Sequence, residues 1–188
     1  DGASFVIKTV SQSAGVEVDL FITSGFEDCW EVGWVKVPDP YNLFSWRADP
    51  LVPRGRVFGI CQRTLKDGSV GSELNEETVK KAIRSAKDMS SDTIVIALLH
   101  SYANNKDERR IREIINSIEP EMAVTLSSDV WPVIREYERT VTTTVAGYVQ
   151  RRVANYLTAF QNALKTAGIP AIPMIGKSKG GVMTAELG

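Results

Sequence analysis

The single histidine of the chain, His100, directly follows an apolar, partly β-branched run at residues 93–99. Such a run is typical of a strand buried on both faces of a largely parallel sheet. Open α/β sheets bind ligands outside the carboxyl ends of their strands, so a histidine there can act as a base, ligate a metal or orient a substrate. No second histidine or close acidic residue completes a ligand set, and no metal site is predicted. Structural hydrogen bonding is the alternative role.

A charged segment at residues 135–140 is the second candidate. On a helix, Arg135 and Arg139 lie four residues apart on one face, Glu138 lies beside Arg135, and Glu136 precedes Thr140 by one turn. Exposed ion pairs of this kind stabilise by only about 0.3–0.5 kcal/mol each, so a surface ladder is one sufficient interpretation. The other is an arginine fork directed inward, where it would bind a carboxylate or phosphate.

A glycine-rich turn at residues 176–181 is the third candidate, and it contains Lys177, Ser178, Gly180 and Gly181. Glycines let backbone N–H groups approach a phosphate, and a lysine adds positive charge. The pattern GxxxxGK[ST] of P-loop proteins cannot be written across it. The turn is therefore interpreted either as a phosphate-binding site or as punctuation between two elements.

The elements that must position these residues alternate between strand and helix. Strands are predicted at residues 5–10, 16–23, 56–64, 93–99, 122–126 and 171–175. Helices are predicted at residues 26–32, 75–88 and 107–118, and at 131–167 as two helices or one bent helix, because a β-branched run interrupts its middle. Ser127, Ser128 and Asp129 form a predicted capping cluster. The order predicts an α/β fold with a layered, largely parallel sheet and flanking helices.

Two parts of the chain are distinguished. Residues 1–72 hold the first strands and an excursion rich in proline and aromatic residues, and residues 73–188 hold the α/β core. The two parts form either separate domains or a single one.

Composition excludes several classes of function. Lysine and arginine number 22 against 23 acidic residues, and the cluster Arg109, Arg110 and Arg112 is flanked by Glu108 and Glu113, as on a solvated helix face. No nucleic-acid partner is predicted. No apolar run is long enough to cross a membrane and no signal peptide is evident. Cys29 and Cys61 lack CxxC spacing and are predicted to be buried free thiols of a reducing, cytoplasmic compartment, with a disulfide between them as the alternative.

Five ordered segments resemble the family of hydantoinase A, N-methylhydantoinase, 5-oxoprolinase and acetone or acetophenone carboxylase: residues 21–28 (FITSGFED), 50–54 (PLVPR), 98–104 (LLHSYAN), 134–140 (IREYERT) and 180–184 (GGVMT). This resemblance implies an actin-like and hexokinase-like ATPase architecture, with ATP and Mg²⁺ as cofactors of the parent protein. It also implies a cyclic-amide or ketone substrate and a B-type partner subunit.

The resemblance covers the middle of such a protein. The Asp-Gly-Gly-Thr type phosphate motif of the family has no counterpart in the 188 residues, and Lys177-Ser178-Lys179 stands where the family has Gln-Ser-Asn. The expected function is part of an ATP-dependent cyclic-amide hydrolase subunit, with His100, Arg135, Glu138 and Arg139 positioning the substrate. The alternatives are a ketone carboxylase subunit and, for the isolated chain, a non-catalytic domain that binds a partner subunit through its aromatic segment at residues 41–46. The isolated chain is expected to be inactive.

Overall fold

A computed structural model describes residues 15–33, 39, 41–42, 44, 49–169, 174–176 and 182–184. The chain forms two compact units, one of Glu17–Gly147 and one of Asp1–Val16 with Tyr148–Gly188. Three predicted features lie outside the described residues: the strand at residues 5–10, the end of the aromatic segment at Trp46, and the turn with Lys177, Ser178, Gly180 and Gly181.

The larger unit is built on a four-stranded parallel sheet in the order β2-β1-β5-β6. Its strands are β1 (Val18–Thr23), β2 (Val57–Ile60), β5 (Thr93–Ala97) and β6 (Ala123–Leu126). The short strands β3 (Arg63–Thr64) and β4 (Val70–Ser72) form a separate antiparallel pair. The run at residues 56–64 is therefore two strands, because the backbone leaves the sheet after Ile60. The division at residue 72 stays a prediction, and the sheet takes strands from both sides of it.

The helices of the chain are α1 (Cys29–Val32), α2 (Glu76–Asp88), α3 (Lys106–Ile118), α4 (Ser127–Val130) and α5 (Glu136–Thr166), and Arg54–Arg56 forms a 3-10 turn. Helix α2 begins as predicted, because the Asn75 side chain accepts hydrogen bonds from the backbone N–H groups of Glu77 and Thr78, at 3.0 and 3.3 Å. The predicted cap at residues 127–129 is wrong. Ser127 is the first residue of α4, and its hydroxyl has a different partner, Glu108.

The core lies between the sheet and helices α2 and α3. All residues of β1 and β5 are buried, as the continuous apolar pattern predicts. Phe21, Ile94 and Ile96 pack against apolar positions of both helices, among them Ile83 and Ile115.

The opposite face of the sheet, which carries Val95, is covered by the first part of α5. A Cβ added at Gly147 would lie 2.6 Å from Val95 Cγ2, so the helix backbone approaches the sheet closely.

Helix α5 is continuous through the β-branched run, so the prediction of two separate helices is wrong. Thr140 and Thr143 donate their hydroxyls to the carbonyls of Glu136 and Arg139, both at 2.7 Å. The residue pair Thr143 and Thr144 is fully buried. Local bonding satisfies the Thr140 and Thr143 hydroxyls, and tertiary burial outweighs the weak helix propensity of threonine.

In the smaller unit, β7 (Met174–Gly176) pairs antiparallel with β8 (Val182–Thr184). The part of α5 from Tyr148 onward belongs to this unit, where the Tyr156 and Phe160 rings stack with centroids 6.4 Å apart.

Candidate active-site cleft

The carboxyl edge of the sheet contains a topological switch point between β1 and β5. The chain goes from β1 to β2 on one side and returns to β5 on the other side of β1. Ligand crevices of open α/β sheets form at such points. The Thr23 hydroxyl, at the end of β1, accepts hydrogen bonds from the backbone N–H of Leu99 at 3.0 Å and from Gln62 Nε2 at 2.7 Å. The segments that follow β1, β2 and β5 are thus fastened to one another.

A buried carboxylate fixes the segments after β5 and β6. Glu108, which is fully buried, accepts hydrogen bonds from Leu98 N at 3.0 Å, Ser127 Oγ at 2.6 Å and Ser128 N at 3.0 Å. The prediction that Glu108 lies on a solvated face is wrong, because the first turn of α3 points these oxygens at the strand ends. The neighbouring arginine Arg110 does face solvent, where it pairs with Glu76 at 2.7 Å.

His100 adopts a left-handed backbone conformation with φ of 57°. Such values are uncommon for residues other than glycine and mark strain that is often kept at functional sites. Its ring contacts that of Tyr102 edge-on, with centroids 5.8 Å apart, and its Nδ1 atom is buried without a hydrogen-bond partner. Burial, together with the positive charges of Arg63 and Arg139, lowers the pKa of His100. The imidazole is therefore neutral near pH 7 and offers one donor and one acceptor.

Arg139 is directed inward and is only 1% exposed. It donates from Nη1 to the Val133 carbonyl at 2.8 Å and from Nη2 to the Leu98 carbonyl at 2.6 Å, while its Nε is buried without a partner. Burial lowers the pKa of Arg139, opposed by the charges of Glu108 and Glu136 and by Tyr102. The guanidinium still has an unused N–H donor.

The remaining predicted site residues differ in their surroundings. Arg135 lies just before α5 and is exposed, 3.7 Å from Glu138, so the surface ladder is limited to this pair. Glu138 Oε2 is buried without a hydrogen-bond partner. The structure thus brings both His100 and Arg139 against Tyr102, with the Arg139 guanidinium 5.9 Å from the ring centre, and leaves Arg135 at the surface.

A two-part cleft opens beside Arg139. The inner cavity holds about 20 Å³, enough for one water-sized group, and is lined by Thr23, Ala97, Leu99, Arg139 and Thr140 among others. The outer cavity holds about 430 Å³ and is lined by Gly25, Asp28, Cys29, Val32, Gly33, Glu136 and Tyr137. Cys29, Glu136 and Tyr137 line both cavities, so the two lie next to each other.

The wall formed by α1 is held by specific contacts. Trp30 is buried and donates its Nε1–H to the Val52 carbonyl at 2.8 Å, while Asp28 pairs with Arg54 at 2.7 Å. Gly33 has φ of 48°, and a Cβ there would lie 2.9 Å from the Tyr137 hydroxyl. A side chain at Gly33 would therefore be strained and would press on this wall.

Both cysteines are exposed and free, so the prediction of buried thiols is wrong. Trp30 occupies the buried position of α1 next to Cys29, and Cys61 lies on the outward side between the buried Ile60 and Gln62. Partial burial and the charges of Glu136, Asp28 and Glu27 raise the pKa of Cys29, which therefore stays protonated near neutral pH.

The lining of the cleft does not fit a nucleoside triphosphate. Asp28 and Glu136 contribute carboxylates, and Arg139 is the one basic residue among the described residues of the two linings, where its Nε has no partner. Negative phosphates would be repelled here. Across the described residues, no group of three or more His, Cys, Asp or Glu side chains is placed to bind a metal ion. None of the described helices has the length and apolar character needed to span a membrane.

Thr23, Gln62 and Glu108 were not predicted as parts of this region, and Glu136 was predicted only as a member of the charged segment at residues 135–140. A signal existed for Thr23, which ends a predicted strand, and for Gln62, which lies near the carboxyl end of another, because the carboxyl ends of parallel strands share one edge. Glu108 and Glu136 carried no such signal, since each stands in a charged stretch typical of an exposed helix face.

Three comparisons place the chain among known proteins. The acetone carboxylase beta subunit of Xanthobacter autotrophicus is 33% identical over 175 residues, which cover 87% of this chain and 24% of that protein. A nucleotide-free acetone carboxylase, solved in work on ATP-dependent acetone carboxylation, superposes with a TM-score of 0.83 at 29% identity, covering 96% of this chain and 27% of that one. The ATP-dependent caprolactamase from Pseudomonas jessenii superposes with a TM-score of 0.80 at 28% identity. The match covers 86% of this chain and 24% of the caprolactamase chain.

These likenesses confirm the predicted α/β class with a largely parallel sheet, as a fragment of an ATPase-like architecture. The chain spans about a quarter of the length of the relatives that it matches. The sequence model of the hydantoinase/oxoprolinase N-terminal region matches residues 2–119, which is more than half of the chain. The chain therefore belongs to the hydantoinase/oxoprolinase family, as the five sequence segments predicted.

Proposed function

We propose that the chain is part of an ATP-dependent subunit that opens a cyclic amide of the hydantoin or 5-oxoproline type. The observation that carries this proposal is the cleft at the β1–β5 switch point. Arg139 lines it, His100 directly follows the lining residue Leu99, and each of the two keeps a buried polar atom without a partner. Such atoms are uncommon in folded proteins, and a bound ligand is one group that can satisfy them. A neutral imidazole and a buried guanidinium suit the polar, uncharged carbonyl group of a ring amide.

The choice of a cyclic amide is supported by one structural relative. Caprolactam is a cyclic amide, as hydantoins and 5-oxoproline are, and the caprolactamase superposes on most of this chain. Within this proposal His100 and Arg139 position the substrate carbonyl. Arg135 and Glu138, the other predicted residues, pair at the start of α5, and Arg135 makes no contact with the substrate in this proposal.

ATP with Mg²⁺ is proposed as the cosubstrate of the parent protein, as in the two ATP-dependent relatives. The acidic cleft is unsuited to phosphates, so the nucleotide is assigned to other parts of that protein. The turn at Lys177, Ser178, Gly180 and Gly181 remains a proposed phosphate contact. A B-type subunit is the proposed partner, since relatives carry subunit names. A cytoplasmic location also stays a proposal.

Two further candidates have support of their own. A ketone carboxylase subunit is favoured by the likeness to the acetone carboxylase beta subunit. For the isolated chain, which is expected to be inactive, a subunit-binding role is favoured by Tyr41 and Phe44, which are 96% and 83% exposed. Exposed aromatic side chains are typical anchors of protein interfaces.

The test measures ADP release by the parent protein together with its B-type subunit. Hydantoin, 5-oxoproline and caprolactam are compared with acetone plus bicarbonate. Release that depends on a cyclic amide supports the proposal. ADP release that depends only on the ketone favours the carboxylase. If no substrate of this panel stimulates ADP release, both functions are overturned. Loss of subunit association in Phe44→Ala would support the binding role.

A further inference from the structure

The inner end of the cleft presents a donor and an acceptor from one face of a helix. Glu136 and Arg139 are three residues apart on α5, and both line the inner cavity. The Arg139 side chain is only 1% exposed, and its Nε–H has no hydrogen-bond partner. Glu136 is exposed toward the outer cavity, and its carboxylate only accepts hydrogen bonds.

Charge excludes an anionic group at this end. The Glu108 carboxylate already accepts three hydrogen bonds, and Asp28 and Glu136 add negative charge to the outer part. A carboxylate or phosphate would be drawn to Arg139 but repelled by the carboxylates around the opening. A neutral carbonyl oxygen satisfies the Arg139 donor without that repulsion.

The two cavities differ in volume, so each would accept a different part of the ligand. The inner cavity of about 20 Å³ accepts a single oxygen atom, and the outer cavity of about 430 Å³ accepts a small ring. A ring amide has its C=O and N–H on the same edge, so it offers one acceptor and one donor side by side. A ketone offers the acceptor alone.

We infer that this cleft binds the C=O and N–H edge of a cyclic amide, with Arg139 Nε donating to the carbonyl oxygen and the Glu136 carboxylate accepting from the amide N–H. This inference rests on the proposed function and adds a subsite to it. Glu136 becomes a specificity residue that separates amides with an N–H from ketones and from N-alkylated amides.

The two exposed cysteines provide a readout that needs neither ATP nor a partner subunit. Cys29 lines both cavities, whereas Cys61 lines neither. The parent protein is labelled with iodoacetamide, and the rates at Cys29 and Cys61 are followed by peptide mass spectrometry. The ligands are hydantoin, 2-pyrrolidone, N-methyl-2-pyrrolidone and acetone. Hydantoin and 2-pyrrolidone are expected to slow labelling of Cys29 about fivefold or more near saturation, with Cys61 unchanged.

A charge-assisted hydrogen bond contributes about tenfold or more in affinity, so N-methyl-2-pyrrolidone and acetone should protect only at about tenfold higher concentration. Glu136→Ala, at an exposed position that leaves the fold intact, should abolish this difference. Each variant is compared with and without ligand, because loss of Glu136 also changes the reactivity of Cys29. The matched control is Glu113→Ala, an exposed glutamate on α3, which should retain the difference.

Equal protection by the N-methylated lactam, equal protection by the ketone, or no protection of Cys29 overturns the inference. Retention of the difference in Glu136→Ala also overturns it. If cyclic amides protect Cys29 but are not turned over with ATP, the subsite is supported and the proposed reaction is rejected. Turnover of cyclic amides without protection would place the substrate elsewhere.

Discussion

The two ends of the parallel sheet bury arginine and carboxylate groups in opposite ways. At the amino end, Asp19 is fully buried and accepts hydrogen bonds from Arg56 at 3.2 Å and from the Ser91 hydroxyl. Arg56 also donates to Met89 and pairs with Glu17. At the carboxyl end, Arg139 and His100 each keep a buried polar atom without a partner. The Asp19 carboxylate therefore has its partners within the protein, although Thr93 Oγ1 at the same end lacks one, whereas Arg139 and His100 each keep a polar atom free for a ligand.

This difference indicates that the amino end of the sheet contributes mainly to stability and the carboxyl end mainly to ligand binding. A satisfied cluster adds rigidity, because removal of one member leaves the others buried and unpaired. Buried polar groups without a partner lower the stability of the folded state, and a ligand that hydrogen-bonds to them raises it again. Substitutions at the amino end should thus change folding alone, and substitutions at the carboxyl end should change folding and activity unequally.

The largest effect is expected from Glu108→Ala. The substitution leaves Leu98 N, Ser128 N and the Ser127 hydroxyl without their acceptor, and we expect a loss of roughly 3–5 kcal/mol in the free energy of unfolding. Urea denaturation followed by circular dichroism measures it. Glu108→Gln keeps one acceptor oxygen and should lose less than half as much. An equal loss in both variants would show that the carboxylate bonds do not fasten this edge.

Asp19→Ala should cost less, about 2 kcal/mol, because Arg56 keeps its contact with Glu17. ADP release per folded molecule should be unchanged. Burial raises the pKa of Asp19, so the folded state holds the proton more tightly and stability falls as pH rises from 3.8 to the higher folded pKa. Asp19→Asn should remove this fall. Loss of activity in the folded Asp19→Ala protein would contradict the separation of the two ends.

Backbone strain at His100 gives the next prediction. Glycine normally destabilises relative to alanine, but at a φ of 57° it should be favoured, so His100→Gly should be more stable than His100→Ala by about 1 kcal/mol. Both variants should lose cyclic-amide turnover, because both lack Nδ1. Urea denaturation and ADP release are measured on each. Equal stability of the two variants would argue against strain at this position.

The pH dependence of His100 has the opposite sign to that of Asp19. Its pKa is lowered in the folded state, so its contribution to stability is complete above 6.5 and is lost as pH falls from 6.5 through the lower folded pKa. His100→Asn should flatten the stability profile in that window while keeping a residue that tolerates a positive φ. An unchanged profile would mean that another group titrates there.

Much of the fold was predictable because local signals agree with the tertiary packing. Asn75 is followed by two glutamates at the start of a regular apolar repeat, so its capping role follows from sequence alone. The apolar run ending before His100 predicted a central strand for the same reason. The threonine run in α5 was misjudged, since its propensity is local but the burial of Thr143 and Thr144 depends on the sheet.

The site was only partly predictable, because its chemistry depends on where α5 begins. The spacing of Arg135 and Arg139 places them on one face of an ideal helix, yet α5 starts at Glu136. Arg135 therefore lies outside the helix and only Arg139 is turned inward. The burial of Glu108 depends on strand ends that are distant in sequence, and no local pattern distinguishes it from the charged residues beside it.

Arg135→Ala should have the smallest effect and gives the sharpest contrast with Arg139. Arg135 is exposed and its pair with Glu138 spans 3.7 Å, so we expect a loss of less than about 0.5 kcal/mol in stability and no change in ADP release. Arg139→Lys keeps the positive charge but removes the planar fork and the Nε–H, and it should lose turnover of cyclic amides about tenfold or more. A larger loss of turnover in Arg135→Ala than in Arg139→Lys would reverse the assignment, because it would mean that the exposed arginine, rather than the buried one, contacts the substrate.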